Sequence, residues 1–251
     1  MNIRTSLRYP GGKSKAVDKI LDLIPTDIKQ YREPFVGGGS VFMSVKQKFP
    51  EDVFYCINDI NSELINYWKI VREAPKELMQ YITFLNSLNL GRDLFNFLSQ
   101  EKNTCSPFEQ AVQFFVINRI TFSGLMKSGG YSDQAYKKRF TQSAINQIGV
   151  VSPLLQDTFI FNEDYEEIVT APGYGVFIFL DPPYTSAEKL YGKNGDIHQE
   201  FDHKRFAKVM RKCQHRWLIT YNDSPFIREL FSFAKIVEWE LRYTMRNKNI
   251  G

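Results

Sequence analysis

Apolar positions change period several times along the first seventy residues. Residues 13–24 repeat at helical spacing, 31–36 are extended, 39–49 return to a helical repeat, and 53–57 are a β-prone apolar run before a further helix to about Ile70. Alternation of this kind has βαβ character and predicts a sheet covered by helices. Between about Pro75 and Leu155 the strand signal disappears. Residues 76–88, 94–98 and 108–122 read as helices, and 123–141 as an irregular, glycine-containing basic segment. Strands are predicted again at 158–161, 176–180, 217–221 and 236–241, with helices at 204–213 and 225–231. The pattern therefore predicts an α/β domain formed by residues 1–70 and 156–251, interrupted by a mainly α-helical insertion at 71–155.

Composition narrows the class. The 251 residues are 43% apolar, enough for an ordinary globular interior, and no internal repeat or low-complexity linker is present. The longest apolar runs are about five residues, far short of a membrane span, and residues 1–10 lack a secretory apolar core. The expectation is a cytoplasmic protein without membrane contact. Cys56, Cys105 and Cys213 are scattered with no C-x-x-C spacing, and the histidines are His198, His203 and His215, so neither a disulfide framework nor a metal site is expected. Net charge is +4. Positive residues concentrate at Lys137-Lys138-Arg139, over 204–216 and at Arg242, Arg246 and Lys248, each either a phosphate contact or a solvated face.

Asp181-Pro182-Pro183-Tyr184 directly follows the apolar run 176–180. The amine of adenine or cytosine is a weak nucleophile, because its lone pair is delocalised into the ring. Two acceptors aimed at its N–H bonds, the Asp181 carboxylate and the Pro182 carbonyl, favour a tetrahedral nitrogen with a localised pair. The prolines restrict the backbone and so aim both acceptors. Tyr184 offers a ring on which a base turned out of its helix can stack. Placement at a strand's carboxyl end suits an open α/β sheet.

Glu33-Pro34-Phe35-Val36-Gly37-Gly38-Gly39-Ser40 joins a predicted strand to a predicted helix, where glycine permits positive φ and close approach of a nucleotide-like cofactor. Asp59 follows Gly37 by 22 residues, at the end of the next strand, a usual interval for an acid that binds ribose hydroxyls. Positions 37, 39 and 42 read Gly, Gly, Phe and break the dinucleotide pattern, which favours a cofactor with ribose and no pyrophosphate. Tyr9-Pro10-Gly11-Gly12-Lys13 either caps the first helix or brings Lys13 to the cofactor's carboxylate.

Taken together these residues resemble the Dam-like DNA adenine-N6 methyltransferases, which use S-adenosylmethionine. The likeness runs through Leu7-Arg8-Tyr9-Pro10-Gly11-Gly12-Lys13, residues 33–42, Asn58-Asp59-Ile60-Asn61, Asn118-Arg119 with Gly124-Leu125, Asp164-Tyr165 and residues 179–184, in the motif order of that family's alpha group. The resemblance implies a Rossmann-like methyltransferase sheet with helices on both faces, and a target-recognition role for the helical insertion. It implies that Phe35, Gly37 and Gly39 line the cofactor site, that Asp59 holds the ribose, that Asp164 accepts from the cofactor's adenine amine, and that Tyr9 and Lys13 meet its methionine part. Arg8, Arg119 and the 123–140 loop with Lys137, Lys138 and Arg139 are implied contacts to double-stranded DNA.

Two departures limit the likeness. Residues 128–133 lack the Asn-Val-Pro-like stretch of many GATC enzymes, so that target does not carry over. Family members commonly continue past the position of Gly251, so relative to them the chain is either truncated or naturally shorter there, and the last sheet strand does not carry over. The expected activity is methyl transfer to N6 of a flipped adenine, with a separate cognate restriction endonuclease as a possible partner. Rival readings are methylation of an amine in RNA or in a protein glutamine, a non-catalytic DNA-binding protein on the same fold, and a nicotinamide-dependent dehydrogenase, which the glycine spacing disfavours.

Overall fold

The computed structural model describes residues 3–9, 13, 16–49, 52–100, 106–124, 129–184 and 201–239. In chain order the elements are α1 (Val17–Asp22), β1 (Gln30–Glu33), α2 (Ser40–Lys48), β2 (Phe54–Asn58), α3 (Ser62–Glu73), α4 (Pro75–Ser87), α5 (Arg92–Gln100), α6 (Pro107–Ile120), α7 (Asp133–Arg139), α8 (Gln142–Leu155), β3 (Thr158–Phe161), α9 (Tyr165–Thr170), β4 (Val176–Leu180), α10 (His203–Lys212), β5 (Arg216–Ile219) and α11 (Pro225–Leu230). The five strands form one parallel sheet in the order β3-β2-β1-β4-β5. Helices flank it on both faces.

Strand sequence follows from position in that sheet. Val176–Leu180 is wholly apolar and buried at every residue, as a central parallel strand covered on both faces requires. Thr158–Phe161 at the edge alternates buried and exposed. One apolar core contains Tyr31, Tyr55, Ile57, Phe177 and Phe179 from one sheet face, α1 to α3, and residues of α4 to α8 such as Ile82, Phe115 and Ile148. The opposite face buries Val176, Ile178 and Leu180 against Val169, Phe206, Met210, Ile227 and Phe231.

Helix starts are mostly written in local side chains. Asn61 accepts from the Glu63 and Leu64 N–H groups, Ser106 and Glu109 form a capping box before Pro107, and Ser132, Thr141, Asp164, Asp202 and Ser224 each cap the helix that follows. The helix Pro107–Ile120 is buried nearly all round and forms the axis of the insertion.

The structure departs from the sequence expectations in four places. The first helix is only Val17–Asp22 rather than 13–24, since Pro25 disfavours helical backbone at Ile24 and Lys13 lies outside the helix. The segment 123–141, expected to be irregular, contains the capped helix Asp133–Arg139. Helices at Gln142–Leu155 and Tyr165–Thr170 were not anticipated individually. Residues 236–239 of the expected strand 236–241 join no ladder, Ile236 and Val237 being about half exposed; residues 240 and 241 lie outside the described residues.

Candidate active site

The neighbours β1 and β4 sit where the sheet order reverses: β1 leads outward to β2 and β3, whereas β4 leads the other way to β5. Ligand crevices in open α/β sheets open at the carboxyl ends of such strands. Here those ends carry the glycine segment after Glu33 and the Asp181 tetrapeptide after Leu180. Two motifs far apart in sequence thus become adjacent.

Asp181 is held by three donors. Lys13 Nζ lies 2.6 Å from Oδ2, while Oδ1 accepts from the Tyr184 hydroxyl at 2.9 Å and from Thr220 Oγ1 at 2.7 Å. The Asp181 side chain keeps 21% of its surface, so the carboxylate borders solvent rather than the core. Pro182 is buried and Pro183 exposed. The Lys13 ammonium also stands 4.7 Å from the centroid of the Tyr184 ring, and the Tyr221 ring lies 5.8 Å from it. On sequence alone this segment either caps the first helix or brings Lys13 to a cofactor carboxylate; in the structure the Lys13 ammonium is on Asp181.

Beside this cluster the glycine segment turns tightly. Gly37 and Gly39 have φ of +46° and +71°, and a Cβ on Gly37 would stand 2.8 Å from the Tyr9 ring. Tyr9 therefore covers the loop that only glycine can form so closely. The Gly37 N–H donates to Asp59 Oδ2 at 3.0 Å, the Asn61 N–H donates to Oδ1 at 3.0 Å, and Trp68 Nε1 donates to the Gly37 carbonyl. Burial raises the Asp59 acid above its ordinary range against the pull of those two donors. Asn58, part of the matching motif but assigned no role from sequence, binds the Pro34 carbonyl and both backbone groups of Glu163, tying the ends of β1, β2 and β3 together.

Phe35 packs against Tyr165 at 5.5 Å and Phe201 at 5.7 Å. Asp164, next to them, caps Tyr165–Thr170 and receives two bonds from Arg205, at 3.0 and 2.9 Å. Partial burial opposes ionisation of Asp164, and the Arg205 guanidinium with the Glu166 N–H outweighs it, leaving the acid below its usual range. Ile60, beside Asp59, is 73% exposed. Among the described residues no cluster of His, Cys, Asp or Glu has the composition of a metal site.

A basic cluster lies on the insertion side. Asn118 accepts from the Arg8 N–H and donates to the Arg8 carbonyl, fixing the N-terminal segment to the helix Pro107–Ile120. Arg8 Nη1 donates to the Arg119 and Thr121 carbonyls. Arg119 differs from the expected open groove contact: it is 9% exposed, its Nη2 donates to the Ser6 carbonyl, and its guanidinium lies over Phe115. Burial, helped by the charges of Arg8 and Arg139, lowers its pKa to about 10. Lys137, Lys138 and Arg139 are exposed on the last turn of Asp133–Arg139. Phe122 is 70% exposed where an antiparallel bridge, Thr121 to Tyr131, closes the loop. Neither Phe122 nor Thr220 has a sequence signal of its own, since one depends on exposure and the other on a neighbouring strand.

Residues 9–245 match the family described as D12 class N6 adenine-specific DNA methyltransferase. The chain belongs to that family. Similar proteins include the type II methyltransferase M.MjaIII of Methanocaldococcus jannaschii, 29% identical over 244 residues covering 86% of this chain and 82% of the relative. The type II methyltransferase M.CviBI of Paramecium bursaria Chlorella virus NC1A is 25% identical over 246 residues, covering 96% and 91%. The DNA adenine methylase of Escherichia coli K12 is 26% identical over 246 residues, covering 93% and 86%. A DNA adenine-N6 methyltransferase needs a DNA substrate and a methyl donor, and its five-strand parallel sheet is consistent with a Rossmann-like methyltransferase fold. Among the described residues no helix is long and apolar enough to cross a membrane.

Proposed function

We propose that this D12-class methyltransferase takes its methyl group from S-adenosylmethionine and delivers it to N6 of an adenine flipped out of duplex DNA into the crevice between the ends of β1 and β4. The single observation that carries the reading is the adjacency of the glycine segment, with Asp59, to Asp181 at the point where the sheet order reverses. The residues fit this donor. The Gly37–Gly39 turn runs so close beneath the Tyr9 side chain that a Cβ at Gly37 or Gly38 would clash with it, and the Asp59 carboxylate, held by the Gly37 N–H, lies beside the turn for two ribose hydroxyls. Phe35, Ile60 and Asp164 supply the apolar and acidic surroundings for an adenine ring, and Tyr9 closes over the glycines.

When bound, the donor supplies a methyl group already activated by a sulfonium. The chain has to position and polarise the amine. Asp181 Oδ2 and the Pro182 carbonyl accept its two hydrogens, which frees the nitrogen pair to point away from the ring plane. Lys13 Nζ now stands at Oδ2 in the place a donating amine takes, so a base that enters must displace it. Tyr184 presents the ring for stacking, with Tyr221 behind it. No covalent enzyme intermediate is required, and positioning supplies most of the acceleration.

On the DNA side the helical interval 71–155 is the target-recognition part. Arg8, Lys137, Lys138 and Arg139 face phosphates, Arg119 braces Ser6 beneath them, and the exposed ring of Phe122 is a wedge that fills the place a flipped base leaves. The type II names among the relatives support a separate cognate restriction endonuclease.

The test offers labelled S-adenosylmethionine with unmethylated DNA, ribosomal RNA and protein in parallel. Label enters DNA alone, in N6-methyladenine. Asp181→Ala lowers transfer by at least about a hundredfold while binding of DNA and of S-adenosylhomocysteine stays within about threefold. Label in RNA or protein, or full turnover by Asp181→Ala, overturns the reading.

A further inference from the structure

We propose that Thr220 is a positioning residue for methyl transfer, fixing the plane of the Asp181 carboxylate so that one oxygen is committed to the protein and the other is left for the target amine. The inference rests on the reading of Asp181 given above. Thr220 is the first residue past β5, is 6% exposed, and its N–H donates to the carbonyl of Leu180, the last residue of β4, at 3.0 Å. The parallel ladder therefore places Thr220 level with the start of the catalytic tetrapeptide. Its hydroxyl donates to Asp181 Oδ1 at 2.7 Å.

The two carboxylate oxygens have different surroundings. Oδ1 accepts from two hydroxyls, Thr220 and Tyr184, whereas Oδ2 meets the Lys13 ammonium at 2.6 Å. An aspartate's terminal torsion is broad and roughly two-fold, so the carboxyl plane is not set by its own rotamer. Of the donors at Oδ1, Tyr184 sits beyond two prolines on the tetrapeptide and has a ring to present to the base. Thr220, itself buried, directly follows β5 and is tied by its N–H to Leu180 at the end of the fully buried β4. Groups on rigid elements hold a reacting constellation more closely than groups on loops. Thr220 thus pins Oδ1, and Oδ2 is the oxygen that exchanges a lysine donor for the amine.

The experiment compares wild type with Thr220→Val, which keeps the shape without the donor, Thr220→Ser, which keeps the donor, and Thr220→Ala as a second donorless variant should valine misfold. Single-turnover methyl transfer to unmethylated DNA is measured with both substrates saturating, together with calorimetric affinity for S-adenosylmethionine and salt-matched DNA affinity. Thr220→Val and Thr220→Ala transfer about ten- to a hundredfold more slowly, with both affinities within about twofold of wild type. Thr220→Ser stays within about threefold in rate. Wild-type rates in the donorless variants overturn the proposal, as does a serine variant as slow as valine or a rate loss matched by lost binding. Failure of the underlying reading looks different: wild type then leaves DNA unlabelled or Asp181→Ala retains full activity, which removes the basis of the inference as well.

Discussion

Glu33 is the last residue of β1, 2% exposed, with the Tyr31 hydroxyl donating to it at 2.5 Å. Burial holds its acid well above the ordinary range, the Tyr31 bond opposes this, and the charge of Asp181 adds to it. The folded state then keeps a proton that the unfolded chain loses near the usual 4.5. Where the native state binds more protons, stability falls as pH rises, from that ordinary value up through the raised one. Glu33→Gln removes the titration but keeps an acceptor for Tyr31. Urea midpoints taken between pH 5 and 8 will show wild type losing stability against the variant as pH rises; a constant gap would mean that Glu33 titrates normally. Chemistry at this scale was legible only where it is contiguous. Asp181 to Tyr184, Gly37 and Asp59 stand out because short-range order creates their geometry, and Asp59 meeting Gly37 was implied by strand-to-strand spacing. Thr220 and Lys13 reach Asp181 from 39 and 168 residues away, contacts that depend on register and on the path of the N-terminal segment.

The helix Asp133–Arg139 illustrates what is lost and kept at the level of an element. Only Ala135 and Tyr136 are buried in its seven residues, too few to show a 3.6-residue period, and Gly129-Gly130 just before it reads as loop. Its local signals are nonetheless complete: Ser132 caps it, Asp133 lies in the first turn, and three cations occupy the last, complementing the helix dipole. Those cations are exposed, and Arg139 is close enough to Arg8 and Arg119 that its charge, with burial, depresses both their pKa values. Among the described residues none of the three is in an ion pair with an acid, and exposed cations of this kind are suited to phosphate. Replacing Lys137, Lys138 or Arg139 singly by alanine will weaken DNA binding regardless of sequence and reduce the slope of log affinity against log salt by about one. Arg216, paired with Asp27 at 2.7 Å, serves as the comparison and leaves the slope unchanged on substitution. Equal slopes for all four variants would remove this helix from the DNA surface.

Across the whole molecule, the change from alternating elements to helices and back made the α/β class and the inserted stretch readable, whereas the sheet order, and with it the crevice, required the fold. The sequence also suggests more separation than the packing has. Residues of α4 to α8 share one apolar core with the face of the sheet that carries Tyr31 and Phe179, and α3 packs on both α6 and α8 while Trp68 on it bonds the Gly37 carbonyl. A perturbation deep in the insertion should therefore reach the cofactor side. Ile82 on α4 is fully buried, and Ile82→Ala removes three carbons from a site far from Asp181, a change that costs about 2–5 kcal/mol. Trp217 is on β5 and Trp239 lies beyond α11, while Trp68 on α3 stands where the sheet portion meets α6 and α8, so tryptophan fluorescence reports the sheet portion and that seam, whereas far-UV circular dichroism draws on all the helices, α4 to α8 among them. In urea the two signals will coincide for wild type and shift together in Ile82→Ala, because a shared core melts as one unit. A dichroism transition that moves alone, leaving the tryptophan midpoint in place, would mean that the insertion unfolds as a domain of its own and transmits nothing to the site through packing.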